Sequence, residues 1–272
     1  LSSICFFTSE NLIAAFLPEI TTRDKMGRIS ALGWTIGYFG GLLTLALCLW
    51  VILSATTLGA EMSDAVPLTL LIVAAMFILG SFPTFLWLRE RAQPLQRTSI
   101  NYGLIAYQRL RTTWQHARLH RDLFQFLAAL TIYTCGINTV IVLAAVYAQE
   151  AMGFTTEDNI QLILIVNISA ALGAFIFGHI QDRLGSLQTL SMTLVIWISA
   201  LLLAYFTHDR DTFWIVANLV GIALGSSQSA GRAIIGVFAP PARAGEYFGL
   251  WGLATKLAAV IGPLCYGLIT FV

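Results

Sequence analysis

The stretch GHIQDRLG, Gly178–Gly185, sets an aspartate beside an arginine between two long apolar runs. A glycine stands four positions before Asp182, and another two positions after Arg183. The gap is too short to link two water-soluble domains, so the pair has to be understood from its surroundings. Of the 272 residues, 57% are hydrophobic and 11% are charged, with a mean hydropathy of +0.78. Soluble domains carry about a quarter charged residues, which excludes an ordinary aqueous globule. A net charge of +1 gives no reason to expect a nucleic-acid partner.

A hydrocarbon layer about 30 Å thick takes roughly 20 helical residues to cross. Apolar runs of that order fall near 1–17, 29–55, 66–88, 123–148, 160–181, 187–207, 212–237 and 247–272. They lack the short alternation of barrel strands, so they predict helices, the other way to satisfy a backbone in lipid. The expected fold is therefore an all-α polytopic membrane protein with about eight transmembrane helices. Both ends fall inside apolar runs and are read as cuts in a longer chain. The connectors give an orientation. Twelve basic residues, among them Arg23, Lys25, Arg28, Arg183, Arg243 and seven arginines in 89–121, lie on alternate connectors. The opposite connectors hold Arg210 alone. That asymmetry puts the basic side, with the 89–122 linker, in the cytoplasm, as for a bacterial inner (plasma) membrane protein.

The linker divides the chain into 1–88, with three spans, and 123–272, with five. Within it Ile100, Leu104, Tyr107, Leu110, Trp114 and Ala117 recur every three or four residues, which predicts an amphipathic helix. It either lies on the inner membrane face or packs as a strut beneath the bundle. Registering Phe16 on Phe238 also aligns Pro18 with Pro240, Gly27 with Gly249 and Gly40 with Gly262. This is a faint parallel repeat of the kind that recurs in transporter architectures.

Three ionisable residues fall inside spans, where a charge costs roughly 2.5–3.5 kcal/mol on insertion scales and needs a partner or a wet cavity. Glu10, followed by Asn11, lies about 12 Å from the inner end of its span, and Lys256 about 14 Å into the last. Glu10 is either a proton carrier or cation ligand, or a protonated acid held between helices. Lys256 either binds a substrate carboxylate or makes a structural ion pair. Arg232, about 8 Å from the inner boundary, reads as a membrane-boundary anchor reaching the headgroups. Tyr133, Asn138 and Gln228, with Asn11 beside Glu10, are polar candidates for a solute site, against the plainer reading of interhelical hydrogen bonds. Trp34, Trp50, Trp87, Trp197 and Trp214 fall near span ends, as interfacial anchors do. Cys5, Cys48, Cys135 and Cys265 read as packing residues. No metal or cofactor motif and no HExxH, GxSxG or GxxxxGK[ST] pattern is present, so neither an enzyme nor an ATP-driven pump is expected.

GHIQDRLG resembles the cytoplasmic loop signature of the major facilitator superfamily. Two longer segments, LPEITTRDKMGRISALGWTIGYFGG (17–41) and GSSQSAGRAIIGVFAPPARAGEYFGLWGLATK (225–256), resemble the bacterial relatives of the autophagy-linked vacuolar effluxers. The resemblance implies twelve spans in two six-helix halves, with this chain running from the fourth to the eleventh. It implies secondary transport of a small solute by alternating access, with amino acids as the suggested class and a proton or other ion as coupling partner. It further implies a conformational latch at Gly178, Asp182, Arg183 and Gly185. There the carboxylate would accept from the amino end of a neighbouring helix, and a solvated turn is the plainer alternative. Ser186-Leu187-Gln188 departs from the basic residues the pattern favours after the last glycine. A receptor or scaffold without transport and a membrane-embedded enzyme are the competing classes.

Overall fold

The computed structural model describes residues 2–57, 62–89, 103–104, 107–108, 111–112, 121–207 and 209–270. All regular structure among them is helical. In chain order the helices are α1 (Ser2–Ala15), the short α2 (Leu17–Ile20), α3 (Met26–Thr57), α4 (Met62–Trp87), α5 (Arg121–Met152), α6 (Thr156–Leu184), α7 (Ser186–Phe206), α8 (Arg210–Phe238) and α9 (Ala244–Thr270). Seven are long and apolar enough to cross a membrane, and α1, with 14 residues, falls short of that length. The fold is thus the all-α polytopic one that the apolar runs predict. The amphipathic pattern in 89–122 and its histidines, His116 and His120, lie almost wholly outside the described residues.

Local chemistry explains where the helices stop. The Thr155 hydroxyl accepts from the amide of Asp158, whose carboxylate accepts from the amide of Thr155, so the start of α6 is capped from both sides. Asp209 caps α8 by accepting from the amides of Asp211 and Thr212. The Thr212 hydroxyl is its foremost partner, and with those amides it holds the exposed Asp209 carboxyl below the usual range. At the other end, α6 gives way to α7 in a single residue, Gly185, at φ 94°. A side chain there would strain the backbone, so this glycine makes the tight turn possible.

The bundle is built on close backbone crossings. A Cβ placed on Gly225 of α8 would stand 1.9 Å from the Ala170 carbonyl oxygen of α6. One placed on Gly178 of α6 would stand 2.1 Å from the Ala31 Cβ of α3. Small residues thus let helices approach where no hydrophobic force drives them together in lipid. Helix α3 lies against α4, α6 and α8, while α9 packs on α5 and α1.

Two apolar cores follow. One gathers Ala14, Leu17 and Met26 from the first helices with Leu123, Phe126, Ile235, Phe248 and Trp251 from the later ones. It lies toward the basic end of the bundle, the end of the connectors bearing Arg23, Lys25, Arg183 and Arg243. The other, with Met152, Phe154, Leu162 and Phe213, lies toward the opposite end beside Arg210.

Two expectations change. Trp50 and Trp87 are exposed, but Trp197 is buried and donates to the Ser227 hydroxyl at 3.3 Å, and Trp34 faces into the bundle. These two tryptophans have polar or cationic neighbours inside and are not interfacial anchors. The repeat is also displaced. Each segment passes through a short 3-10 turn, Arg23–Lys25 or Pro241–Arg243, into a long helix starting at Met26 or Ala244. Those starts are 218 residues apart (244 − 26). The glycine and proline matches at an offset of 222 therefore sit about one helical turn out of register.

Replacing Gly225 by valine forces α6 and α8 apart. The expected cost is about 1–3 kcal/mol, read as a lowered melting temperature of the detergent-solubilised protein. Gly249→Ala, whose added methyl meets open space, is expected not to lower it.

Candidate functional site

A cavity of about 260 Å³ lies among α1, α3, α5, α8 and α9. Five of the six residues singled out as solute or proton ligands line it: Glu10, Tyr133, Asn138, Gln228 and Lys256. Phe7, Trp34, Ser227, Trp251 and Thr255 complete much of the wall. The space is small and mostly apolar with a few polar groups, as sites for small solutes are.

Glu10 and Lys256 meet across it. The Lys256 Nζ lies 3.2 Å from Glu10 Oε2 and 3.8 Å from the centre of the Phe7 ring. Each ion thereby has the counter-charge that insertion into lipid demands, and the ammonium gains a ring face. Helix α1 comes close enough to α9 for this because position 252 is glycine. A Cβ there would stand 2.2 Å from the Asn11 amide nitrogen. Asn11 therefore packs against α9 and does not line the cavity, and its buried Oδ1 accepts no hydrogen bond in the described structure.

On the far wall the Tyr38 hydroxyl of α3 donates to Gln228 Oε1 at 2.5 Å. Asn138 spends its amide on the Thr134 carbonyl of its own helix, at 2.9 Å. Tyr133 reaches over Gly231, where an added Cβ would lie 3.0 Å from the hydroxyl oxygen.

Arg232 departs from the anchoring expectation. Its guanidinium turns away from the boundary, into the contact between α8 and α3. Nε donates to Ser30 Oγ at 3.0 Å and Nη2 to the Ser30 carbonyl at 2.5 Å, with the cation 5.4 Å from the Trp34 ring centre. The fully buried Ser30 in turn donates to the Ser229 carbonyl at 2.9 Å. A side chain long enough to reach the headgroups turns inward because the neighbouring helix offers two acceptors and an aromatic face.

At the basic end, the Arg28 amide, in the first turn of α3, donates to Asp182 Oδ1 at 3.2 Å. Gly27 and Gly178 leave room for this approach, since a Cβ on Gly27 would lie 2.8 Å from that same oxygen. Arg183 is exposed and pairs with no acid among the described residues. The sequence reading missed Ser30 and Tyr38 and took Trp34 for an interfacial anchor. Their spacing of four, which puts all three on one face of α3, was the signal that pointed to them.

A helical bundle with the Glu10–Lys256 pair at mid-depth and the GHIQDRLG turn at its basic end defines a polytopic membrane protein of the major facilitator type. Residues 1–270 match the family described as vacuole effluxer Atg22 like, and the chain belongs to that family. It is similar to the MFS-type transporter YxiO of Bacillus subtilis, with 28% identity over 97% of this chain and 61% of that protein. It also resembles autophagy-related protein 22-2 of Aspergillus clavatus, with 25% identity over 89% of this chain and 43% of that protein. Autophagy-related protein 22 of Saccharomyces cerevisiae shares 27% identity over 63% of the chain and 34% of its own length. The chain thus spans between about a third and three fifths of these relatives.

Removing one member of the Glu10–Lys256 pair leaves the other without its counter-charge within the bundle. Glu10→Gln and Lys256→Gln are each expected to lower the melting temperature, and the double variant to recover part of the loss. Thermal melts of the four proteins give the coupling, expected at about 0.5–3 kcal/mol.

Proposed function

We propose that this chain forms the solute pathway of a secondary active transporter in a bacterial plasma membrane, working by alternating access. The observation that carries the proposal is the Glu10–Lys256 pair. It joins α1, before the 89–122 segment, to α9, after it, across a cavity that both helix groups line. Motion of one group against the other has to stretch or break this pair, so solute and proton binding act on the contact that changes.

A small zwitterion suits the arrangement. Its ammonium replaces Lys256 at Glu10 and its carboxylate replaces Glu10 at Lys256, so one ion pair becomes two. Amino acids have this chemistry. Protonation of Glu10 neutralises the carboxylate and releases Lys256 from the pair, which is a direct route to proton coupling. Asp182 on the amino end of α3 then serves as the latch of the cytoplasmic side. Its hydrogen bond holds α6 to α3 while the solute site faces the other way, at a cost to opening of about 0.5–2 kcal/mol. That is enough to bias two packings of similar stability.

The test uses the intact protein in proteoliposomes, with an imposed pH gradient and radiolabelled amino acids. The wild type is expected to accumulate solute in response to the gradient and to lose that accumulation on adding a protonophore. Glu10→Gln is expected to retain exchange of labelled for unlabelled solute while no longer responding to the gradient. An unchanged response in that variant rules out Glu10 as the coupling group.

A further inference from the structure

The cavity pair leaves one charge in the bundle unexplained. Arg232 is bound entirely by neutral acceptors, the hydroxyl and carbonyl of Ser30, and no carboxylate among the described residues ion-pairs with it. Its Nη1 makes no hydrogen bond there. Glu10 is the acid whose field reaches it, but Glu10 is already paired with Lys256. Around the cavity, then, stand two cations, Lys256 and Arg232, against one anion. An unmatched cation within a membrane bundle is costly unless an anion visits it.

The position of Arg232 fits such a visitor. Trp34, whose ring carries the guanidinium, and Gly231, its chain neighbour, both line the cavity, so the cation sits one side chain behind the wall. The Trp34 indole N–H is itself buried without an acceptor. A charged fork and a neutral N–H, both short of acceptors, match a carboxylate, which has acceptor sites only. Ser30 belongs to α3 and Arg232 to α8. Parting of these helices at the basic end would take away both present acceptors together and leave the guanidinium to a solute arriving from the cavity.

We propose that Arg232 is a carboxylate site and that the solute carries net negative charge. In the amino-acid case the solute is acidic, with its ammonium at Glu10, one carboxylate at Lys256 and the second at Arg232. This rests on the cavity being the solute site. The three charged side chains then meet three charges of opposite sign, and loading removes the excess positive charge. A neutral amino acid leaves it in place.

The experiment measures uptake of labelled glutamate by the intact protein in proteoliposomes, with leucine and lysine as competitors and as labelled substrates. Glutamate is expected to be preferred. Arg232→Gln should raise the KM for glutamate by about ten-fold or more while changing the KM for leucine by less than about three-fold. Arg232→Lys, which keeps the charge, should retain the preference, and so should Ser30→Ala, which removes one tether of the arginine. A folded wild type that carries leucine in preference to glutamate overturns the inference and leaves the amino-acid reading standing. Transport of none of the three overturns both. An Arg232→Gln protein that keeps its glutamate preference shows the arginine to be a strut between helices and overturns the inference alone.

Discussion

Where α6 crosses α3, two glycines bring the backbones close enough for the Asp182 carboxylate to take the Arg28 amide of the first turn of α3. The amides at a helix start have no partner within the helix and carry the positive end of its dipole. A carboxylate there is therefore held by position as much as by charge. The opening puzzle of an acid–base pair in a short gap between greasy runs finds its explanation here. The gap is short because Gly185 turns in one residue, and the acid is present because a neighbouring helix begins beside it.

From that point inward, α3 is fastened to the later helices in steps. Ser30 is tied to Ser229 and Arg232, and the Thr35 hydroxyl leans on the Ala171 carbonyl at 3.4 Å. Tyr38 then reaches Gln228 at the cavity wall. Each contact joins groups on different helices, so none survives a separation of α3 from α6 and α8. The interface is a ladder of hydrogen bonds, the neutral ones worth about 0.5–1.5 kcal/mol net and those from the Arg232 cation about 1.5–3, with no ion pair among them.

Much of this was legible in the sequence because lipid leaves few choices. Twenty-residue apolar runs dictate helices, and an ionisable residue at mid-depth dictates a partner or a cavity. Glu10 and Lys256 could be singled out for that reason, 246 residues apart. Their pairing with each other was not legible, because it depends on Gly252 letting α1 reach α9. Arg232 went astray for a related reason. Its depth allowed the side chain to reach the headgroups, and only the neighbouring helix shows that Ser30 and Trp34 offer it a nearer home. Asn11 was misplaced through its adjacency to Glu10, since consecutive helical residues point about 100° apart. The tryptophans near span ends were read from depth alone, yet in a bundle depth does not settle which face of the helix a ring occupies.

The central claim is that the Asp182 contact with the amino end of α3 holds the basic end of the bundle shut. Spin labels placed on the exposed ends of α3 and α6, in the intact protein in lipid nanodiscs, report the separation of those ends by pulsed electron resonance. The wild type is predicted to populate mainly the short distance. Asp182→Asn, which keeps the shape but loses the charge, should shift population toward a longer one. Identical distance distributions for the two proteins would contradict the claim.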